Sequence, residues 1–291
     1  LNNTSNTVYL NGAYKPVEEA TISVMDRGFL FGDGVYEVIP VFGNKLLRAK
    51  GHLERLKNSL GRISLQDPHS DDEWLQIFSG LLERNPGEDR AIYLQISRGA
   101  YPGRDLGIKT DYPPTIFAMV LHVTPPAIEV VSAGISAITV DDFRWSACDI
   151  KSTSLVASVM LKQQAADAGV DDAILIRNSM LSEGTASNVF IVKDNVLSTP
   201  PTGHELLSGI TRDLVIEIAK NNTILVEERH IQAAELFDAD EIWMTSSTRE
   251  IAPVIRLNGE VVGSGKAGDM WKRMVDMYQQ HKQLLRIGKA F

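Results

Sequence analysis

The sequence predicts an α+β protein of two domains, and three observations carry that reading. Val35 to Phe42 and similar runs are β-branched and alternate, as strands do. His52, Leu53, Leu56, Leu60 and Ile63 recur at helical spacing, as do Trp74, Ile77, Phe78, Leu81 and Leu82. Between the halves, Val123-Thr124-Pro125-Pro126-Ala127 is stiff, extended and poor in backbone donors, which makes it the clearest linker. The predicted domains are residues 1–123 and 124–291, an N-terminal α+β domain and a C-terminal α+β domain carrying the lysine discussed below. The 291 residues suffice for two ordinary domains.

In chain order, Val8-Tyr9-Leu10 followed by Asn11-Gly12 reads as a strand and tight hairpin turn, and Ile22 to Met25 as a second strand. Gly28, Gly32 and Gly34 crowd around Phe29 and Phe31 and predict a loop with tight turns; no helical run opens on them, so they are no dinucleotide fingerprint. The strand from Val35 turns at Gly43-Asn44 and returns over Lys45 to Arg48. After the two helices, Ala91 to Ser97 and Pro114 to His122 read as buried strands joined by a polar loop, Arg98 to Leu106 and beyond. Ile135 to Val140 is a strand, and Ser154 to Ala168 a helix closed by Gly169. Strands follow at Asp172 to Ile176, Asn188 to Val192, Val196 to Ser198, Ile224 to Val226 and Glu241 to Met244. Thr211 opens a helix that runs to Lys220, and Ile231 to Phe237 is a short one. Val254 to Leu257 and Val261-Val262 form a hairpin about Asn258-Gly259, and Trp271, Met274, Met277 and Tyr278 mark a last amphipathic helix.

Composition narrows the function. The 44% hydrophobic and 23% charged fractions are ordinary for a globular chain. A net charge of −8 makes nucleic acid a poor partner. No apolar run approaches the ~18 residues of a membrane span, and the polar stretch Leu1 to Thr7 has no signal-peptide core. Cys148, the only cysteine, excludes an intrachain disulfide and suits a cytoplasmic setting; it reads as a packed apolar residue. The six histidines have no local metal spacing, so no metal is expected. No Gly-x-Ser-x-Gly elbow is present. Gly263-Ser264-Gly265-Lys266 is a turn, too short for a phosphate loop.

Four polar clusters stand out together: Arg144 to Ser152 with Lys151, Glu183 to Phe190, Gly209-Ile210-Thr211-Arg212, and Thr245 to Thr248. A single lysine is usually a solvated charge and a Glu-Gly-Thr run usually a turn. In this order they hold the parts that pyridoxal 5'-phosphate chemistry needs. A lysine amine, Lys151, can form a Schiff base with the cofactor aldehyde. A carboxylate, Glu183, can keep the pyridine nitrogen protonated. The helix start at Ile210 and Thr211, the hydroxyls of Ser246 and Ser247, and Arg55 can hold a phosphate. By itself Arg55 also reads as a helix arginine whose head reaches water.

Glu183, Thr185, Asn188, Val189, Phe190, Thr199 and Gly209 to Arg212, with Asp26-Arg27-Gly28, Phe31 to Glu37 and Arg144 to Lys151, resemble the motifs of the fold-type IV pyridoxal-phosphate aminotransferases, and among them the D-amino-acid aminotransferases. The resemblance spans nearly the whole chain. It implies a two-domain fold-type IV enzyme that passes an amino group by a ping-pong route between a D-amino acid such as D-alanine and a 2-oxo acid such as 2-oxoglutarate or pyruvate. Lys151 would be the catalytic lysine and proton shuttle. The match to His-x-x-Arg-Leu makes Arg55 a phosphate ligand, and Leu207 would pack on the cofactor ring. Tyr36 would support the lysine or the substrate carboxylate, and Arg144 would set the electrostatics near the ring; both are expected on the substrate side. Arg104 stands where the family carries a carboxylate-binding arginine, in a loop one residue longer, and Leu106 stands where a histidine is expected, which leaves the substrate range open; by itself Arg104 also reads as a solvated loop arginine. A homodimer is implied, with the substrate loop supplied by the second subunit. Branched-chain L-amino-acid or (R)-amine transamination, and aminodeoxychorismate lyase chemistry, are the alternative readings; a non-enzymatic cofactor carrier is the third.

Overall fold

Asn11 and Gly12 take φ of 49° and 93° and close the predicted hairpin between Thr7–Leu10 (β1) and Ala13–Pro16 (β2), since a two-residue turn of this hand needs positive φ at both positions. The computed structural model describes residues 6–124 and 127–289; the linker prolines Pro125 and Pro126 and the first five residues lie outside them. β1 and β2 join Gly34–Phe42 (β3), Lys45–Leu46 (β4), Asp89–Ser97 (β5) and Thr115–His122 (β6) in an antiparallel sheet ordered β2-β1-β6-β5-β3-β4.

The segment around the glycines differs from its expectation. Arg27–Phe31 is a short helix (α1), capped by the Asp26 carboxylate on Gly28 N–H (2.7 Å) and ended by Gly32 at φ 66°. Ile22 to Met25 forms no strand: Ile22 and Val24 are exposed, and among the described residues no strand pairs with them. Ala49–Arg62 (α2) buries Leu53, Leu56 and Leu60 on the face that meets β3. Asp71–Arg84 (α3) starts at a reciprocal Ser70–Glu73 capping box and buries Trp74, Phe78 and Leu81.

The second sheet is mixed. Its strands are Ile135–Asp141 (β7), Asp172–Arg177 (β8), Met180–Gly184 (β9), Asn188–Lys193 (β10), Val196–Thr199 (β11), Leu225–Glu228 (β12), Glu241–Ser246 (β13), Glu250–Leu257 (β14) and Glu260–Val261 (β15). The order is β12-β11-β10-β13-β14-β7-β8-β9, with β15 beside β14. Ile128–Ser132 (α4), which the sequence does not announce, Val156–Asp167 (α5), Ile210–Asn221 (α6) and Asp269–Arg286 (α7) are its helices. Ile174, Val189, Ile191, Ile242 and Met244 lie at the centre of the core on this sheet. Strand β9, which is not among the expected strands, carries Glu183: Asn178 and Ser179, at φ 51° and 64°, send the chain straight back along β8. The sequence hides this because Ser182-Glu183-Gly184 has no β-branched residue. Among the described residues no helix is long and apolar enough to cross a membrane.

By packing, the chain forms two compact units. One gathers residues 6–124 with Ile150–Ser154 and 284–289; the other gathers 127–149 with Leu155–Gln283. Lys151, expected in the C-terminal domain, therefore belongs with Ile150–Ser154 to the first unit, while Arg144 to Asp149 belong to the second. Tyr36 N–H donates to the Lys151 carbonyl (3.0 Å) and Thr153 N–H to the Gly34 carbonyl (2.9 Å), while Ser152 bridges to Val35. These bonds lay the segment along the start of β3, whose backbone groups there need a partner.

Candidate active site

In the second unit, β9 delivers Glu183 and buries it. Its Oε1 accepts from Arg144 Nη1 at 2.6 Å and its Oε2 from the Leu207 N–H at 3.0 Å. Burial pushes the Glu183 carboxyl above its ordinary range, while Arg144 and the Leu207 N–H pull it back. Arg144 spends the rest of its guanidinium on Asp142: Nε to Oδ1 and Nη2 to Oδ2, both at 2.9 Å. Burial opposes its charge, but the Asp142 and Glu183 carboxylates outweigh burial and raise its pKa. Asp142 also takes Arg177 Nη2 (2.9 Å) and the Ser182 hydroxyl (3.1 Å). Arg144, expected on the substrate side, thus sits behind Glu183 as its counter-charge. Each of its three guanidinium nitrogens already faces a carboxylate oxygen.

Asn188 opens β10 directly opposite Thr245 of β13. Its Nδ2 donates to the Leu207 carbonyl at 2.8 Å and reaches Glu183 Oε2 at 3.4 Å. Its Oδ1 lies where a side chain on Gly209 would go, so a Cβ there would collide with it. Leu207 therefore meets Glu183 through its main chain, a contact that the expectation of ring packing did not include. Gly209 leads into α6, whose start has no side-chain cap, so its first N–H groups point outward as donors. Ile210 and Thr211 are buried in that first turn. α6 packs on β13, which ends in Thr245 and Ser246. Thr245 Oγ1 is buried with no hydrogen-bond partner among the described residues, and Ser246 and Ser247 are half-buried beyond it.

These donors fit a phosphoryl group: an uncapped helix start, an unsatisfied buried hydroxyl and two further hydroxyls have no carboxylate among them. The carboxylate of Glu183, kept dry and aimed by Arg144 and Leu207, fits a protonated ring nitrogen. Asn188 links the two groups. It belongs to the motif that the sequence displays, yet its residue type announces no role, because an asparagine at a strand start has many structural uses.

In the first unit, Lys151 is half-buried and its Nζ lies 4.3 Å from the centre of the Tyr36 ring. Its N–H donates to Ser59 Oγ (3.2 Å). One residue on from Tyr36, Glu37 is fully buried. It accepts Arg55 Nε and Nη2, each at 2.7 Å, and pairs with His52 Nδ1 at 2.8 Å. Against burial, the Arg55 guanidinium and His52 hold the Glu37 carboxyl well below the usual glutamate range. Burial, in turn, pushes His52 down. Arg55 is thus a buried, two-point ion-pair residue and does not extend its head to water. Arg104 lies on the exposed loop between β5 and β6, its guanidinium 5.0 Å from the Phe31 ring centre. In the second unit, Cys148 packs inside, as expected, and burial pushes its thiol up.

The chain matches the amino-transferase class IV family over residues 34–257, and it belongs to that family. It is 38% identical to the D-alanine aminotransferase of Bacillus licheniformis over 92% of this chain and 94% of that one. With the D-alanine aminotransferase of Listeria monocytogenes it shares 36% over 90% and 91%. In structure it is similar to the branched-chain amino acid aminotransferase of T.th. with pyridoxamine 5'-phosphate, with TM-score 0.91, 27% identity and coverage of 98% and 96%. It is also similar to the Escherichia coli branched-chain amino acid aminotransferase, with TM-score 0.87, 26% identity and coverage of 99% and 96%.

Proposed function

We propose that this class IV aminotransferase moves an amino group from a D-amino acid of the D-alanine type to a 2-oxo acid, with pyridoxal 5'-phosphate as cofactor. The observation that carries the D-amino-acid reading is the 38% identity, over nearly the full length of both chains, to a D-alanine aminotransferase; the branched-chain relatives are near in fold and more distant in sequence. When bound, the cofactor supplies an aldehyde for the amino group and a ring that draws electrons from the substrate α-carbon. The Lys151 amine, set over the Tyr36 ring, would take the proton from the substrate α-carbon and hold it for return on the far side of the amino nitrogen, a 1,3 shift. Glu183 would hold a proton on the ring nitrogen, and Arg144 favours the ionised form of that carboxylate against burial. The α6 start with Ser246 and Ser247, and Arg55 fixed by Glu37, are the phosphate donors. Arg104 reads the substrate carboxylate.

We also propose a homodimer, supported by Val156, Val159 and Met160, which stand exposed together on α5; equilibrium sedimentation at two loading concentrations tests it. The single buried thiol suits a reducing cytoplasm.

The deciding experiment is a half-reaction. Cofactor-loaded enzyme is mixed with D-alanine, L-leucine or (R)-1-phenylethylamine, and the absorbance is followed as the cofactor passes from its aldehyde to its amine form. Conversion with D-alanine and not with L-leucine is expected. Conversion with L-leucine or the amine alone overturns the D-amino-acid reading and assigns Leu106 a part in a different specificity. Lys151→Ala should abolish conversion with every donor; retained turnover removes Lys151 from the mechanism.

A further inference from the structure

Arg27 is a buried arginine whose donors are spent on one carboxylate and on the main chain of a distant loop. Its Nε donates to Asp33 Oδ2 at 2.7 Å. Its Nη1 and Nη2 donate to the main-chain carbonyls of Asp105 (2.5 Å) and Leu106 (3.2 Å). Its guanidinium lies 4.7 Å from the Phe31 ring centre and 5.0 Å from that of Tyr101. Asp33 is itself fixed from the other side by Arg98, through Nε at 2.8 Å and Nη2 at 3.0 Å. Residues 102–110, by contrast, are exposed and without regular structure.

Carbonyls on such a loop can be satisfied by water, so their capture by a buried guanidinium orders the loop and is not needed to pair it. Two carbonyls, one residue apart, are gripped by one planar fork, which a lysine cannot imitate. The neighbour of the gripped pair is Arg104, and its guanidinium packs on the same Phe31 ring that Arg27 covers. Two guanidinium groups share one ring while one of them grips the next two carbonyls of the loop, which leaves Arg104 few alternative poses.

We infer that Arg27 is a positioning residue for substrate recognition: it holds the 104–106 loop, and with it Arg104, in the pose that meets the substrate carboxylate. The inference rests on the proposed role of Arg104. Arg27 touches no reacting atom, so its removal should weaken substrate binding and leave the chemical step alone. Asp33 keeps Arg98 when Arg27 is lost, which preserves a paired carboxylate in the fold.

Arg27→Lys and Arg27→Met, both checked for an intact melting transition, test this. The lysine variant retains the charge opposite Asp33 and stands in should the methionine variant fail to fold. The first readout needs no substrate: trypsin cleavage after Arg104 and Lys109, followed by mass spectrometry. Both variants should be cut at least several-fold faster than the parent, because cleavage follows the population of the released loop. In turnover of D-alanine, KM should rise roughly tenfold or more, the scale of a charged hydrogen-bonded contact, with kcat within about twofold. In an Arg104→Ala background, Arg27→Met should add no further rise, since one residue acts through the other. Unchanged cleavage overturns the inference, as does a loss in kcat alone or an effect that adds fully to that of Arg104→Ala. If the parent enzyme does not act on D-alanine, the functional reading falls, and the cleavage rates still decide whether Arg27 anchors the loop.

Discussion

Replacing Arg144 by methionine should expose how strongly Glu183 depends on its counter-charge. Arg144 and Glu183 are 10% and 6% exposed at the side chain and meet at 2.6 Å. Removing one member of such a buried pair costs about 3–5 kcal/mol, since the remaining charge stays desolvated. Asp142 is spared the same fate because Arg177 and Ser182 still reach it. At about 2–4 °C per kcal/mol for a unit of this size, a loss near ~4 kcal/mol lowers the melting temperature by roughly 8–16 °C. The sign with pH follows from the direction of the shift. Glu183 is already raised by burial, and the loss of Arg144 raises it further. A carboxyl raised in the fold binds its proton more tightly folded than unfolded. The penalty is therefore complete above the folded pKa and fades as pH falls toward the unfolded value. Melting of cofactor-free enzyme, variant against parent, near pH 7 and at about pH 5 measures this. The double variant Arg144→Met with Glu183→Gln should regain part of the loss, because the stranded charge is gone. Equal losses at both pH values, or a double variant no more stable than Arg144→Met, would refute the reasoning.

Three further outcomes follow from the geometry. Gly209→Ala is permitted by its backbone (φ −78°, ψ 126°), so its effect is purely steric: the new Cβ displaces the Asn188 side chain. An overpacking cost of about 1–3 kcal/mol at this joint should weaken equilibrium binding of pyridoxal 5'-phosphate by roughly tenfold, measured by fluorescence titration; an unchanged Kd removes Asn188 from the site. The Glu37 cluster should make the fold acid-sensitive. Glu37 is depressed below 4.5 and His52 below 6.5, so both contribute stability present above those unfolded values and lost as pH falls through the folded ones. Urea midpoints from pH 7 downward should fall for the parent, and more shallowly below about pH 4.5 for Glu37→Gln, which starts lower because the charged two-point contact between Glu37 and Arg55 is lost. Glu183→Gln should retain the cofactor and slow the half-reaction by ~10² or more; an unchanged single-turnover rate excludes Glu183 from proton and charge management.

How far the site could be read in advance depended on which kind of contact each residue makes. Glu183 and the Gly209-to-Arg212 helix start are legible because their chemistry is carried by residue type and local spacing. Arg144 was legible as part of the site, but its place there was not: the chain separates it from Glu183 by 39 residues, and only the pairing of β7, β8 and β9 brings them together. Arg27 stands within the Asp26-Arg27-Gly28 motif, but nothing local tells its role, because its use lies in two carbonyls nearly 80 residues on.

The sequence by itself determined the periods of the helices and most strands, the hairpin at Asn11-Gly12, the candidate lysine and the family, since these depend on residue type within a few positions or on a motif order that survives without coordinates. The tertiary structure alone decided that Lys151 packs along β3 in the first unit, that Glu183 stands in a strand with Arg144 behind it, and that Arg27 ties down the loop of Arg104. Each of these joins charged or backbone groups far apart in the chain. Their energy comes from excluding water around a pair, and which pair is excluded is settled only when the sheets have formed.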